Sequence, residues 1–380
     1  MMRLADTDIR VLDRGLPGAG TAGFFLSSDW LGTTVRTAPE EASLTLLEID
    51  GRVGALLGHR RTTRHRVLPV RQWFLNETGH PVFDRVALEY NGLAGLAENT
   101  DGTRAALHWL LHNLPDADEL VVRNATAATA AALRCAAADA GWAVRCTNRA
   151  PSSVLDLEPL RTDGRDALVR LGKNTRAAIR RSIRLYEADG PIRVHRAESV
   201  AEALAWFDCL AALHVASWQG RATHNAFTNR WFHPFHQTLI ATAHPHGYVD
   251  LLRISAGDRV IGYLYNFSVD GWTMAYQAGL APAPDNRWKP GLVCHSAAID
   301  YCTARGDRLY DFLAGPARYK RSLSNREIPM QSLVAFAPRW HLRLEDAARR
   351  LKTKLRKTGA LSRGDARPVG HEDHPGAKNQ

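Results

Sequence analysis

The stretch that decides the fold, residues 272–320, reads WTMAYQAGLAPAPDNRWKPGLVCHSAAIDYCTARGDRLYDFLAGPARYK. Apolar and polar residues alternate over its first eight positions, which predicts a strand. Three prolines between Ala281 and Pro290 end that strand. The spacing of apolar residues after Gly291 predicts a helix, which Gly306 closes. The apolar run at 308–313 then predicts a second, buried strand.

The loop before this helix has the properties of an anion site. A helix N-terminus presents unpaired backbone N–H groups and the positive end of the helix dipole. Arg287 and Lys289 add charge, and Gly291 lets a ligand approach the backbone closely. An ordinary strand-to-helix loop has the same composition, so the loop alone does not decide between the two interpretations.

The composition is that of a globular protein with one large domain or two smaller ones. The chain has 380 residues, of which 45% are hydrophobic and 23% charged. No apolar run approaches the roughly 20 residues of a membrane span, and the first residues lack the apolar core of a signal peptide. The five scattered cysteines form no CxxC pair, so we expect reduced thiols, no metal site and a cytoplasmic location.

The net charge of +10 comes from two segments. Residues 339–380 contain 11 Lys or Arg and 5 Asp or Glu. Residues 173–196 contain 7 Lys or Arg and 2 Asp or Glu. A basic balance suits anionic ligands such as nucleotides, CoA, nucleic acid or acidic lipid, without choosing among them.

The two halves of the chain repeat one order of elements. Leu47–Leu56, with a hairpin signal at Asp50-Gly51, resembles Leu252–Leu264. A strand, a helix and a strand are predicted after each hairpin, and the first of these strands is predicted at 85–90 and at 272–279. The repetition predicts two copies of one mixed α/β unit, with chance agreement as the alternative.

A row of cations is predicted on one helix. Lys173, Arg176, Arg180 and Arg184 fall within about 80° of one face at 100° per residue. They form either an anion site or a solvated basic face.

A histidine and a tryptophan are predicted to share another helix face. His214 and Trp218 are separated by four residues, and Arg221 follows in a loop. They form either one wall of a substrate pocket, with His214 as a base near neutral pH, or a packed pair.

Four motifs, in this order, resemble the CelD/BcsL-type acyltransferases, the Fem-related branch of the GNAT superfamily. They are Lys173-x-x-Arg176-x-x-x-Arg180-Arg181, Leu213-His214-x-x-x-Trp218, Pro290-Gly291 and Tyr310-Asp-Phe-Leu-x-Gly315-x-x-x-Tyr319-Lys320. The resemblance covers roughly 165–335 by the order and spacing of these motifs. Asn76-Glu-Thr-Gly79 and Glu89-Tyr-Asn-Gly92 resemble the first half of the same proteins.

The resemblance implies an α/β (α+β) fold of tandem GNAT-like domains, each a mixed central sheet flanked by helices. We expect an irregular N-terminal segment at 1–42, a degenerate GNAT-like domain at 43–158 and a GNAT acyltransferase domain at 159–338. Residues 339–380 are predicted to form a basic helix, with Leu342, Ala348, Leu351 and Leu355 on one face, and a disordered tail. That helix either docks on the body or lies on an anionic surface.

The resemblance also implies a reaction, the transfer of an acyl group from acyl-CoA to an amine, with acetyl-CoA as the expected donor and no metal. The expected catalytic residues are His214, Asp311, Tyr319 and Lys320. The expected donor-binding residues are Gln277, Ala278, Gly279, Arg287, Lys289 and Gly291. The expected acceptor-binding residues are Lys173, Arg176, Arg180, Trp218, Arg221 and Tyr276.

Two other functions remain open at this point. A Fem-like enzyme takes its acyl group from an aminoacyl-tRNA, and a degenerate GNAT pair only binds a nucleotide or acts as a scaffold. The loop from Arg287 to Gly291 differs from the usual R/Q-x-x-G-x-G/A of GNAT enzymes, having one more residue and no second glycine. The acceptor is expected to be an amine on a small molecule, glycan or peptide, and the basic tail offers a peripheral membrane contact.

Overall fold

The computed structural model describes residues 2–4, 7–12, 23–49, 51–96, 100–163, 171–218 and 225–361. Its strands are β1 (Met2–Leu4), β2 (Thr7–Leu12), β3 (Ser43–Ile49), β4 (Arg52–Arg64), β5 (Leu68–Leu75), β6 (Glu119–Thr126), β7 (Ala143–Arg149), β8 (Ser152–Asp156), β9 (Ile192–Arg196), β10 (Val249–Ala256), β11 (Arg259–Val269), β12 (Trp272–Leu280), β13 (Leu309–Ala314), β14 (Arg326–Ile328) and β15 (Met330–Phe336). Its helices are α1 (Ser28–Thr37), α2 (Thr100–Asn113), α3 (Ala127–Asp139), α4 (Glu158–Asp163), α5 (Lys173–Glu187), α6 (Val200–Trp218), α7 (Phe232–Ala243), α8 (Pro290–Arg305), α9 (Arg318–Leu323) and α10 (Trp340–Leu361).

The strands form two mixed sheets flanked by helices. The first sheet has the order β1-β2-β3-β4-β5-β6-β15-β7, and the second has the order β14-β8-β13-β12-β11-β10-β9. β5 runs parallel to β6, and β12 runs parallel to β13. Each parallel pair needs a crossover connection, which α2 provides in the first sheet and α8 in the second. The mixed α/β fold class predicted from the sequence is confirmed.

The repeated order of elements is present, with one correction. The series β3-β4-β5-α2-β6 matches the series β10-β11-β12-α8-β13. The predicted strand at 85–90 is wrong, because β5 takes that place in the first sheet. Tyr90 has a φ of 52°, a left-handed conformation that cannot continue a strand ladder.

The two sheets exchange their last strands, which contradicts the predicted boundary at 158/159. β8, from the first half of the chain, lies between β13 and β14 in the second sheet. β15, from the second half, lies between β6 and β7 in the first sheet. Local periodicity predicts a strand but does not say which sheet will accept it, so the sequence could not show this exchange.

The prediction of an irregular segment at 1–42 is also wrong. β2 pairs with β3 at the edge of the first sheet, and β1 pairs with β2. Ser27 caps α1 by accepting a hydrogen bond of 3.3 Å from the backbone N–H of Trp30. The Trp30 side chain is then buried, so this part of the segment belongs to the core.

The largest hydrophobic cluster joins the two halves. It combines Phe24, Trp30 and Leu56 with Phe235 and Phe267. The rings of Phe24 and Phe267 stack at 4.0 Å, and Trp30 meets Phe235 edge-on at 5.1 Å. Burial of one such side chain stabilises a fold by about 1.5–3 kcal/mol, so the halves are held together by a shared core.

The basic C-terminal helix docks on the first sheet. Leu342 is buried against Val70 and Phe336, whereas Leu351 is 59% exposed. These two leucines are nine residues apart and therefore lie 180° apart on the helix. The prediction that they share a face is wrong, and the predicted disordered tail lies outside the described residues, which end at 361.

One helix, α6, is long and apolar enough to cross a membrane by length and composition. Ala203, Phe207 and Leu210 of this helix are buried, and Leu210 contacts β12. Only 22% of this apolar stretch is buried inside the protein. The five cysteines are free thiols, and no group of three or more His, Cys, Asp or Glu in the described ranges is placed to hold a metal ion.

Candidate active site at the separation of two strands

The central feature of the second sheet is the point where β12 and β13 separate. The two strands are paired only from Trp272 to Met274 and from Leu309 to Asp311. Beyond Met274 one edge of β12 is open. The backbone N–H of Ala281 donates to Ile261 on β11, and antiparallel pairing alternates every residue. The backbone groups of Ala278 therefore point away from β11, into the gap between the strands.

His214 closes this open edge. Its Nδ1 lies 2.9 Å from the carbonyl oxygen of Ala278. A carbonyl oxygen only accepts hydrogen bonds, so Nδ1 carries the proton and Nε2 carries a lone pair. Burial lowers the pKa of His214, which keeps the ring neutral. Its buried Nε2 has no hydrogen-bond partner among the described residues.

The other two residues expected beside Ala278 have different roles. Gln277 folds back, and its Oε1 accepts a hydrogen bond of 3.2 Å from the Ala278 N–H. Gly279 pairs with Tyr263 on β11 instead of facing the gap. A Cβ at Gly279 would lie 2.3 Å from the backbone oxygen of Leu210, so this glycine is required by the close approach of α6.

Trp218 lies beside His214, as the helix spacing predicts. The two rings stack at 5.9 Å with an angle of 29° between their planes. The expected partner Arg221 lies outside the described residues. The two rings therefore pack on each other, and their role as one wall of a substrate pocket stays a prediction.

Asp311 lies where the strands separate, and four groups donate hydrogen bonds to its carboxylate. Tyr90 Oη donates at 2.5 Å, Trp272 Nε1 at 3.0 Å and the Leu313 N–H at 2.7 Å. The hydroxyl of Ser152 also donates to it. Burial raises the pKa of Asp311, and these hydrogen bonds oppose the rise. The catalytic role expected for Asp311 is not supported, because its oxygens already hold β8, β12 and the Tyr90 loop together.

The backbone after Asp311 is strained. Leu313 has a φ of 59°, which is unusual for a large side chain because Cβ is crowded in the left-handed region. Such strain costs about 1–3 kcal/mol and persists where surrounding contacts hold it, often at functional sites. The hydrogen bond between Asp311 and the Leu313 N–H holds it here, and the turn aims the next peptide group at the first half of the chain.

Glu89, from the first half, meets this peptide group. Its Oε2 accepts a hydrogen bond of 2.9 Å from the backbone N–H of Ala314. Burial raises the pKa of Glu89 to about 7, and the Asp311 carboxylate raises it whereas Lys320 lowers it. A carboxyl group with this pKa can take up a proton near neutral pH. Sequence reasoning missed Glu89 as a site residue, although an acidic residue beside Leu88 and Tyr90 was a usable signal.

Lys320 completes the cluster, as the motif predicts. Its Nζ donates to the carbonyl oxygens of Ala314, at 2.8 Å, and Leu313, at 3.3 Å. Burial lowers the pKa of Lys320, and Glu89 and Asp311 oppose this change. The Ala314 peptide group is thus held on one side by a carboxylate and on the other by an ammonium group.

The two tyrosines expected in the site lie on opposite faces of the sheet. Tyr276 packs between the halves, with its Oη 3.5 Å from the carbonyl oxygen of Ala87, and burial and the Glu89 carboxylate raise its pKa. Tyr319 stacks on His295 at 5.2 Å, and burial raises its pKa to about 12. Tyr319 therefore packs on the α8 face, and its role in orienting the acceptor stays a prediction.

The N-terminus of α8 keeps part of its expected anion-binding character. The helix starts at Pro290, which has no N–H, and Lys289 at the N-cap makes no side-chain cap. The backbone N–H of Lys289 donates instead to Ser182 at 2.9 Å. Gly291 has open space around its Cβ position except for Leu280 at 3.1 Å. Arg287 is paired with Asp285 at 2.7 Å, so its charge is partly compensated.

The cationic row lies on the far side of α5. Ser182 faces the start of α8, and Lys173 lies nine residues, or 180°, away from it. Arg180 is about 160° away from Ser182 by the same measure. The side chains of Lys173 and Arg180 are exposed, whereas that of Arg176 is half-buried. The structure therefore does not bring Lys173, Arg176 and Arg180 together with the start of α8.

The family comparison agrees with this geometry. The model of the acetyltransferase (GNAT) domain matches residues 173–321, which contain β12, α8, β13 and Lys320. Residues 173–321 therefore form a GNAT domain. The GNAT resemblance predicted from the motifs is confirmed, and a GNAT fold generally implies acyl-CoA as the acyl donor.

One solved structure is similar in fold over most of the chain. The structure of FemX is 9% identical, with a TM-score of 0.51 over 81% of this chain and 90% of that chain. This likeness concerns the fold, which it supports across both sheets. Two further structures are similar: the C-terminal domain of a putative lysylphosphatidylglycerol synthetase from Agrobacterium fabrum and a tandem GNAT protein from the clavulanic acid biosynthesis pathway. The first is 11% identical, with a TM-score of 0.49 over 86% of this chain and 90% of that chain. The second is 12% identical, with a TM-score of 0.42 over 87% of this chain and 100% of that chain. No curated protein matches the sequence.

Proposed function

We propose that this GNAT protein is an N-acyltransferase that moves an acyl group from acyl-CoA to an amine, with Glu89 as the general base. The observation that carries the proposal is the position of the Glu89 carboxylate, with its pKa near 7, where β12 and β13 separate. An amine must lose a proton before or during attack on an acyl carbonyl, and a base with a pKa near the working pH is suited to this.

The residues present suit an acyl-CoA donor. The open edge of β12 offers the Ala278 N–H, which is held only by the adjacent Gln277 side chain. The start of α8 offers helix N–H groups beside Gly291 for a pyrophosphate. When bound, the donor supplies a thioester carbonyl, and the Ala278 N–H is placed to donate to its oxygen as negative charge develops there.

In the proposed reaction Glu89 takes the proton from the amine. A new bond forms between the amine nitrogen and the acyl carbon, the C–S bond breaks, and the leaving sulfur is protonated. Lys320 lowers the pKa of Glu89, which favours its ionised form, and holds the Ala314 peptide group on which the carboxylate rests. Most of the rate increase would come from positioning the two substrates together.

The donor site is tested by ligand-induced thermal stabilisation. Acetyl-CoA or CoA at about 100 times its Kd should stabilise the protein by about 2.7 kcal/mol. Gly291→Asp should abolish this effect, because the new carboxylate repels a phosphate at the start of α8. The variant should still fold, since acidic residues are favourable in a first helical turn. Asn286→Asp, exposed in the same loop, is the matched control and should retain the effect.

A second function is favoured by the cationic row on α5. Lys173, Arg180 and Arg184 are exposed and face away from α8, as a surface for a phosphate backbone would. In a Fem-like aminoacyl transfer they would bind the tRNA that carries the acyl group. Stabilisation by deacylated tRNA but by neither CoA species would favour this function and contradict the first. Reversal of these three charges should then remove the tRNA effect.

A further inference from the structure

The exposed apolar side chains are concentrated on the C-terminal helix. Among the described residues five large hydrophobic side chains are strongly exposed, and three of them are on α10. They are Trp340, Leu344 and Leu351, which are 76%, 64% and 59% exposed. At 100° per residue these three lie within 40° of one line along the helix. They therefore form one continuous apolar stripe.

The stripe is held outwards by the opposite face of the helix. Leu342 is buried in the body, and two acidic residues beside it form ion pairs with the first sheet. Glu345 is 3.2 Å from Arg64, and Asp346 is 3.2 Å from Arg145. These contacts fix the rotation of α10, so the body of the protein does not cover the stripe.

The turn between β4 and β5 extends this surface. Val67, at the turn, is 74% exposed, and its neighbour Arg66 is also exposed. The turn lies next to α10, because His65 Nε2 is 3.7 Å from Glu345. We call Val67, Trp340, Leu344 and Leu351 together the α10 surface.

The charge of the segment indicates what covers the α10 surface. Residues 339–361 contain eight Lys or Arg and two Asp or Glu, and both acidic residues face the body. An apolar stripe with tryptophan, on a helix rich in Lys and Arg, is typical of helices that lie in the interface of an anionic bilayer. A second copy of the chain would bring two strongly positive segments together, which opposes self-association through this face.

We propose that the α10 surface docks on an anionic lipid bilayer. The apolar stripe enters the boundary between headgroups and acyl chains, while the basic residues contact the phosphates. Each basic residue near such a surface contributes about 1 kcal/mol, so the attraction weakens as salt is added. The docking is independent of the acyl donor, since α10 lies on the first sheet and the donor site on the second.

The test is co-sedimentation of the full chain with vesicles. The wild-type protein should sediment with vesicles containing 30% phosphatidylglycerol at low salt, and not with pure phosphatidylcholine vesicles or at high salt. The triple variant Trp340→Ser, Leu344→Ser, Leu351→Ser should bind at least about tenfold more weakly, because it loses the apolar contact. Val215→Ser, which removes an exposed apolar side chain from α6, should bind like the wild type.

Folding and oligomeric state complete the test. The three side chains are exposed, so the triple variant should keep the wild-type circular dichroism and melting temperature. Wild-type protein that stays in the supernatant with anionic vesicles would overturn the proposal, as would unchanged binding of the triple variant. Light scattering that shows a wild-type dimer, and a monomer for the triple variant, would assign the surface to a second copy and also overturn it.

Discussion

The carboxylate of Glu89 accepts a hydrogen bond of 2.9 Å from the backbone N–H of Ala314, across 225 residues of sequence. This contact joins the two halves at the point where β12 and β13 separate. It also places a carboxyl group with a pKa near 7 beside the strained turn at Leu313. The first half, expected to be degenerate, therefore supplies the proposed base to the second.

Replacement of Glu89 tests this assignment. Glu89→Gln keeps an oxygen for the Ala314 N–H but cannot take up a proton, so kcat should fall by about 10²–10⁴-fold. The limb of the pH–rate profile near pH 7, where wild-type activity rises as Glu89 ionises, should disappear. Glu187→Gln, on the exposed face of α5, should leave both kcat and this limb unchanged. An unchanged limb in Glu89→Gln would contradict the assignment.

The same variant should change the pH dependence of stability. The folded pKa of Glu89, about 7, lies above the ordinary value of 4.5, so the folded state holds the proton more tightly. Stability should therefore fall as pH rises from about 4.5 to 7, by about 3 kcal/mol from this group. Glu89→Gln should flatten the fall, as measured by urea unfolding at a series of pH values. A steeper fall would show that Glu89 is stabilised in its charged form.

Loss of the Lys320 charge should move the pH–rate profile. Lys320 lowers the pKa of Glu89, so Lys320→Met should shift the acidic limb of kcat/KM to higher pH. The activity should be recovered in part at alkaline pH, where Glu89 is again ionised. Lys320→Arg, which keeps the charge, is the control and should leave the limb near its wild-type position. If the acidic limb lies at the same pH in Lys320→Met and in the wild type, Lys320 does not influence the pKa of the base.

Two variants of His214 separate its possible roles. Asn can donate to the Ala278 carbonyl oxygen as His214 Nδ1 does, but it lacks the Nε2 lone pair. If His214 acts by holding β12, His214→Asn should stay within about threefold of wild-type kcat/KM and His214→Ala should lose about tenfold, the value of one hydrogen bond. Equal and large losses in both variants would instead identify Nε2 as a catalytic base.

Gly279 and Gly291 should respond differently to the same substitution. In Gly279→Ala the new Cβ would lie 2.3 Å and 2.7 Å from backbone atoms of Leu210, so α6 must move away from β12. We expect a loss of about 2–3 kcal/mol in the free energy of unfolding. In Gly291→Ala the Cβ meets only the flexible end of Leu280, and alanine favours a helix, so the change should stay below about 1 kcal/mol. Similar losses of unfolding free energy in the two variants would contradict the explanation that Gly279 is required by the close approach of α6.

The exchange of β8 and β15 should make unfolding a single event. Neither sheet is complete without a strand from the other half, and one hydrophobic cluster spans both. Calorimetry should therefore show one transition, whose van't Hoff and calorimetric enthalpies agree. Tyr90→Phe, which removes one hydrogen bond to Asp311, should lower the midpoint of that transition without splitting it. Two resolved transitions would contradict this coupling.

Much of the second half could be predicted from its sequence. β12, α8 and β13 follow from alternation, three prolines and a helical period, all of which act between residues close in the chain. The repeated order of elements correctly predicted two related sheets. Three of the predicted site residues, His214, Ala278 and Lys320, do lie around the separation of β12 and β13.

One physical reason limits how far the site could be predicted from the sequence. Asp311 and Tyr319 both have side chains that can take part in catalysis. In the structure four hydrogen-bond donors surround Asp311, and Tyr319 packs against the α8 face. Glu89 was missed because its partner lies 225 positions away. Side-chain chemistry is visible in a sequence, whereas the neighbours that saturate or desolvate a group come from distant segments.

The sequence by itself determined β12, α8, β13 and the repeated order of elements, because strands and helices follow local periodicity. Only the tertiary structure decided which strand completes which sheet, since backbone hydrogen bonds are the same for every strand. It also brought together the groups that surround the carboxyl group that we propose as the base. The pKa of Glu89 is set by its burial and by Asp311 and Lys320, which packing alone brings beside it.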